Sequence, residues 1–265
     1  MTRSGTHISS QGTELAWLAD GPEGGADSRC GLFWLGGFMS DMEGSKAEVL
    51  AELGRASGRP CLRFDYSGHG KSGGVFRQGT ISHWLGEAVE VFCALANGPR
   101  VIIGSSMGGW LALLLVRHLR RERPDIAKRV AGLVLIAPAA DMTHDLMWAK
   151  YDEATRTVIT EQGYLEEPSD YGDEPYVITR DLIEDGRQHL MLEEGLDVSF
   201  PVRILQGEDD PDVPWQHVLK TFQALRGEDV TMTLVKHGDH RLSTPVDLVR
   251  LKATCLELCE LADMT

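Results

Sequence analysis

Val101-Ile102-Ile103-Gly104-Ser105-Ser106-Met107-Gly108-Gly109-Trp110 decides how the rest of the chain is read. Residues 101–104 suit a buried strand, and the LALLLVRHLRR that follows Trp110 repeats apolar side chains at helical spacing. The pattern is therefore strand, sharp turn, helix. Within it Gly104-Ser105-Ser106-Met107-Gly108 matches G-x-S-x-G with Ser106 at its centre. A serine on so tight a turn needs neighbours without bulky side chains, so that helix and strand can approach and the hydroxyl can stand clear of the sheet. Ser105 does not fit the frame, because Ile103 and Met107 would take the glycine places. The same short pattern occurs in ordinary strand-to-helix turns. Its meaning depends on what the rest of the chain supplies.

A chain of 265 residues can bury a sizeable core, and no run of Pro, Gly and Ser divides it. The expectation is one domain, 1–265, carrying an insertion. The excess of 40 acidic over 26 basic residues, a formal charge of −14, argues against nucleic acid or anionic membrane as a partner. The first 17 residues lack a signal-peptide core and no run of 18 apolar residues occurs, so the sequence predicts a soluble, cytoplasmic protein without membrane insertion. Cys30, Cys61, Cys93, Cys255 and Cys259 lack metal or redox spacing and read as reduced core residues. Oligomeric state leaves no signal.

Outward from the central stretch, residues 6–20 read as a hairpin around Gln11-Gly12, and 30–37 as a buried strand ending in two glycines. A helix from Ser45 to about Ala56 precedes a strand that stops at Asp65 and opens into a turn with Gly68, Gly70 and Gly73. That turn lacks the P-loop spacing and reads as structural. A helix over 81–96 leads to the central strand, and 131–141 gives another. Strands separated by helices of this length pair in parallel, so the fold class is α/β with a doubly wound, mostly parallel sheet. From Met142 to Phe200 the alternation stops. That stretch, including the polar EEPSDYGDEP centre, predicts a small helical cap without strands, laid over the sheet's carboxyl edge, where ligands of open α/β sheets bind. Strands at 201–208 and 230–238 then alternate with two helices, the last starting at Pro245.

A serine hydroxyl is a poor nucleophile near neutral pH and needs a base, itself held by a third group. The turn after the 201–208 strand offers Glu208, Asp209, Asp210 and Asp212; the turn after the last strand offers His237 and His240. These acids and histidines also suit a divalent cation, but a metal site leaves G-x-S-x-G without a purpose. The serine reading calls for neither metal nor organic cofactor.

The order Ser, acid, His along the chain resembles that of the α/β-hydrolases, and the resemblance covers essentially the whole length. It implies that the acid of G-x-x-D-x-x-V-P is Asp210, flanked by Asp209 and Asp212. It also implies that the base is His240 of Gly238-Asp239-His240, with His237 and Asp209 as the fallbacks. An oxyanion needs two preorganised donors: the Met107 N–H, next after the serine, and by resemblance the Phe38 N–H of Gly36-Gly37-Phe38. Here the family's common His-Gly pair is replaced by Leu35 and Gly36. LRFDYSGHGKSGG, GSSMGGW, DxxVPW and KHGDHR together resemble a small-capped branch that includes the mycophenolic-acid acyl-glucuronide esterase, also described as a palmitoyl-protein thioesterase. That branch implies hydrolysis of an ester or thioester in a small-molecule or acylated substrate. Phe38, Met39, Met107, Met142, Leu146, Met147 and Trp148 are the candidate lining of an acyl channel. Carbon–carbon bond hydrolysis, peptidase activity and a non-catalytic receptor on the same fold are the alternatives; an intact Ser, Asp and His weighs against the last.

Overall fold

The computed structural model describes residues 2–23, 29–168 and 175–264. A hairpin opens the chain, β1 (Arg3–Ile8) against β2 (Glu14–Asp20), with Arg3 opposite Ala19 and Ile8 opposite Glu14. Its first strand stops at Ile8 because Ser9 turns the chain, donating its amide to Thr13 O and accepting from Gly12 N. The elements that follow are β3 (Gly31–Leu35), α1 (Ser45–Ser57), β4 (Cys61–Phe64), α2 (Ile81–Leu95), β5 (Arg100–Ser105) and α3 (Met107–Glu122). A short α4 (Pro124–Ala127) leads into β6 (Val130–Ile136).

The excursion comes next, with a π-helical turn at Met142–Met147, α5 (Glu153–Gln162), β7 (Tyr164–Glu167), β8 (Tyr176–Thr179) and α6 (Arg180–Gly186). A two-residue strand β9 (Leu196–Asp197) precedes β10 (Val202–Gly207), α7 (Trp215–Ala224), β11 (Leu225–Arg226), β12 (Val230–Val235) and α8 (Pro245–Asp263). Thr244 caps α8 in a reciprocal box with Asp247, and Pro245 occupies the first turn.

Eight strands form one sheet in the order β1-β2-β4-β3-β5-β6-β10-β12, parallel from β4 to β12 and antiparallel only at the hairpin edge. Alternate side chains of its central strands feed two cores. Phe33, Leu35, Ile102, Leu133 and Leu135 face the helices α2, α3 and α7, while Leu32, Trp34, Val101, Ile103 and Val134 face α1 and α8. That two-sided burial explains why these strands read as continuous apolar runs. Burying each such Leu, Ile or Phe contributes roughly 1.5–3 kcal/mol. Cys255 and Cys259 lie on the buried face of α8 in the second core, and all five cysteines are free thiols. From β3 the strand order runs outward in both directions. The carboxyl ends on either side of that reversal diverge and leave a crevice.

The excursion departs from the reading of it as strandless. β7 and β8 form an antiparallel pair with Tyr164 opposite Thr179 and Glu167 opposite Tyr176. Tyr-Leu-Glu-Glu carries little β-pattern of its own, and tertiary contacts supply the preference. Tyr151 Oη donates to Glu167 at 3.1 Å, Arg77 pairs with Glu166, and the Arg77 guanidinium lies 4.3 Å from the Tyr164 ring centre. Most of the EEPSDYGDEP centre, residues 169–174, lies outside the described residues.

Candidate active site

Between β5 and α3 the backbone turns on Ser106, with φ 55° and ψ −119°. A side-chain-bearing residue there costs about 1–3 kcal/mol, and the surroundings hold it in place: Ser106 N donates to Ile136 O at 2.9 Å, and Ser106 O accepts from Gly109 N and Ala139 N. The flanking glycines have a steric purpose. A Cβ on Gly104 would fall on the Gly108 carbonyl, and one on Gly108 would fall on the carbonyls of Leu35 and Gly36. Ser105 remains in β5, buried and paired with Ile136, whereas Ser106 stands on the turn. Met107 begins α3, so its amide belongs to the electropositive end of a 16-residue helix.

The turns after β10 and β12 lie side by side, with Glu208 N bonded to Val235 O and Asp209 N to Gly238 O. Asp210 is buried between them. Its Oδ1 accepts from the amides of Asp212 at 2.9 Å and Val213 at 2.8 Å, and its Oδ2 accepts from Gln206 Nε2 at 3.1 Å. Oδ2 also lies 2.8 Å from His240 Nδ1. A carboxylate only accepts, so Nδ1 carries the proton and Nε2 of the neutral ring is the acceptor. Ser106 Oγ is 3.1 Å from that Nε2. The structure thus joins Ser106, His240 and Asp210 in one hydrogen-bonded line. Asp209 and His237 pair with each other at 3.1 Å on the surface, and Asp212 is exposed. Among the described residues, Glu208, Asp209 and His237, and separately Asp210, Asp212 and His240, are close enough to share a cation. In the second group Asp210 is already bonded to His240, and His240 to Ser106; in the first, Glu208 also accepts from Lys236 at 2.6 Å.

Ser106 and His240 open onto a cleft of about 730 Å³. Phe38, Met39, Met142, Leu146 and Met147 line it as expected, with Tyr176 and Ile178 of β8 in addition. The loop of Gly36-Gly37-Phe38 borders Ser106 directly, since a Cβ built on Gly37 would stand 3.4 Å from Ser106 Cβ. The Phe38 ring packs on Phe76 at 4.9 Å, Trp84 at 5.9 Å and Tyr176 at 5.7 Å. Two of the expected lining residues face elsewhere. The Met107 side chain is fully buried in the core, and Trp148 lies against the guanidinium groups of Arg156 and Arg187. Lys46 and Arg241 bring charge to the wall; Lys46 Nζ donates to Arg241 O, and burial pulls the Lys46 ammonium down to about 8.

Sequence reasoning did not single out Gln206, which is wholly buried and also donates to Val213 O at 2.9 Å. A glutamine that follows Ile204-Leu205 in a buried strand is the signal that could have found it, because such a group must have a partner.

Residues 24–251 match the model of the alpha/beta hydrolase family. The human protein named palmitoyl-protein thioesterase ABHD10, mitochondrial, is 32% identical over 231 residues, 87% of this chain and 73% of that protein. A crystal structure from Agrobacterium vitis superposes with a TM-score of 0.91 at 43% identity, over 98% of both chains. Alpha/beta hydrolase domain-containing protein 10 from mouse does so with a TM-score of 0.84 at 30% identity, over 97% of this chain and 98% of the other.

Proposed function

This chain belongs to the alpha/beta hydrolase family, and on that premise we propose that it cleaves carboxylic esters or thioesters through a Ser106–His240–Asp210 triad and an acyl-enzyme. The observation that carries the reading is the continuous line from Ser106 Oγ through His240 to Asp210, at 3.1 and 2.8 Å. His240 Nε2 takes the hydroxyl proton as Ser106 Oγ bonds to the substrate's carbonyl carbon. Asp210 stabilises the resulting imidazolium, and the amides of Met107 and Phe38 donate to the oxyanion. Collapse of the tetrahedral intermediate expels an alkoxide or thiolate, which takes the proton from His240. Water, deprotonated by the same imidazole, then attacks the acyl carbon; the bond to Ser106 Oγ breaks, Oγ takes the proton back from His240, and the acid is released. The steps as written call for no metal or organic cofactor.

The 142–200 excursion serves as the cap of a single domain. Asp141 Oδ1 and Oδ2 tie its two ends together by accepting from Met191 N at 2.9 Å and Leu192 N at 3.1 Å. The apolar wall of Phe38, Met142, Leu146 and Met147 suits an acyl chain, and unbranched methionines accommodate chains of different length. The name of the human relative, a palmitoyl-protein thioesterase, agrees with an acylated substrate.

The test is a panel of p-nitrophenyl esters and acyl-CoA or acyl-cysteine substrates of graded length, with a diketone as control. Replacing Ser106→Ala should lower turnover of the accepted esters by several orders of magnitude while the protein stays folded. Near-normal turnover in Ser106→Ala, or cleavage of the diketone alone, would overturn the reading.

A further inference from the structure

The two sides of the cleft differ in chemistry. The cap lends it apolar side chains, whereas beside His240 the wall is built by Gly44, Ser45 and Lys46, where α1 begins, and by Arg241. The leaving oxygen or sulfur must face His240 Nε2 to be protonated, so the leaving group extends toward this polar side. α1 is a 13-residue helix with no side-chain cap. Its N-cap is Gly44, and the nearby Asp41 turns its Oδ1 back onto Glu43 N at 2.8 Å. The amides of Ser45, Lys46 and Ala47, at the electropositive end of the helix, form no hydrogen bond among the described residues. Lys46 is half-buried beside them and has no ion pair among the described residues; its Nζ donates to Arg241 O at 2.5 Å. The two carboxylates whose charge acts on it are occupied elsewhere, Asp239 by Leu242 N and Asp247 by Thr244 and Arg250. A third donor stands on the same wall. Trp34 is 3% exposed, and its Nε1 has no hydrogen-bond partner among the described residues. Buried donors are normally paired, and one left over on a ligand-binding wall marks the place of an acceptor.

We propose that the uncapped first turn of α1, Lys46 Nζ and the Trp34 indole form an anion subsite for the leaving group, so that the preferred esters or thioesters carry a carboxylate or phosphate on the alcohol or thiol. This rests on the triad reading, because the proton from His240 is what places the leaving group. Amides at a helix start bind carboxylate and phosphate oxygens directly, and a lysine ammonium adds a charge-assisted bond. With a net charge of −14 the chain repels anions at long range, so selection of an anionic ester has to come from such local donors.

The probes are butyrate esters of ω-hydroxyalkanoates three to six carbons long, ω-hydroxyalkyl phosphates of the same lengths, and the matching primary amides as neutral isosteres. The quantity read is kcat/KM for an anionic ester divided by that for its amide. Wild type should give a ratio above about 10 with the carboxylates, the phosphates or both, and the series that gives it identifies the anion. Lys46→Gln should lower that ratio about 10-fold, and Lys46→Arg should keep most of it. Lys128→Gln removes the same charge from the exposed surface ahead of β6, at the sheet's amino edge, and should leave the ratio unchanged. Gly44→Asp tests the helix start with a substitution that the fold accommodates. Gly44 has φ −62° and ψ 160°, a Cβ there meets Asp41 O at 3.7 Å, and an N-cap aspartate accepts from the same amides. It should leave thermal stability at or above that of wild type while lowering the ratio about 10-fold. The proposal is overturned if wild type gives ratios within about twofold of 1 in both series, or if either Lys46→Gln or Gly44→Asp keeps the wild-type ratio. Ser106→Ala is assayed alongside. Turnover surviving there sinks the triad reading itself, whereas an inactive Ser106→Ala beside a wild-type ratio near 1 sinks only the anion subsite.

Discussion

Two aspartate–histidine pairs rise from the same two turns, after β10 and β12, and their lengths are similar: 2.8 Å for Asp210–His240 and 3.1 Å for Asp209–His237. Their surroundings differ. The side chains of Asp210 and His240 are 0% and 14% exposed, those of Asp209 and His237 59% and 76%. Asp210 also accepts from two backbone amides and from Gln206, and His240 reaches Ser106. Similar separation therefore does not make the two pairs equivalent. Water screens the outer one and leaves its geometry loosely held, while the inner one is fixed by partners that the unfolded chain cannot assemble. In a site of low dielectric the inner carboxylate stabilises an imidazolium far more strongly.

The sharpest way to break this contrast is to remove each member of the inner pair in turn. His240→Gln and Asp210→Asn should each lower kcat on an activated ester by about 10³- to 10⁴-fold or more. Steady-state kinetics on both would contradict the contrast if either variant kept more than a tenth of wild-type turnover. Next comes the support beneath the inner pair. Gln206→Leu withdraws a donor from a buried carboxylate and should cost about 1–3 kcal/mol of stability in urea unfolding; an unchanged midpoint would mean that the amide bears no part of the burden.

A smaller effect concerns pH. The folded protein, by burial, holds His69 neutral down to about 4, whereas the unfolded chain protonates it near the ordinary imidazole value of 6.5. In the window between those values the unfolded state binds more protons, so this residue makes stability fall as pH drops from about 6.5 to about 4 and then level off. The difference between wild type and His69→Phe isolates that contribution from the buried Asp65 and Glu87, whose raised pKa values act in the opposite sense. A difference in unfolding free energy that stays constant across the window would rule it out. The smallest effects belong to the outer pair. His237→Gln and Asp209→Asn should leave kcat within about twofold and stability within about 0.5 kcal/mol, and a tenfold loss in either would mean that the two pairs are not so unequal.

What the sequence reveals follows the same division. The Ser106 turn is legible because strand, glycines and helix are consecutive; the turns after β10 and β12 are legible as sources of carboxylates and imidazoles, and only the resemblance to the α/β-hydrolases singles out Asp210 and His240 among them. Gln206 and His69 were overlooked for a different reason. Their partners Asp210 and Met39 are joined to them by tertiary geometry, and a glutamine before Gly207 or a histidine between two glycines looks like an ordinary turn residue. β7 and β8 escaped because Tyr-Leu-Glu-Glu pairs only once Tyr151 and Arg77 are in place. Trp148 was assigned to the channel on hydrophobicity alone, which does not register the cations that flank it.

The most direct measurement is intact-protein and peptide mass spectrometry after rapid mixing with a p-nitrophenyl ester and acid quench. The expected result is a single added acyl group, carried by the peptide that contains Ser106 and missing from Ser106→Ala. An acyl group on another residue, or turnover of the ester without any added mass in experiments with a slowly deacylating substrate, would contradict it.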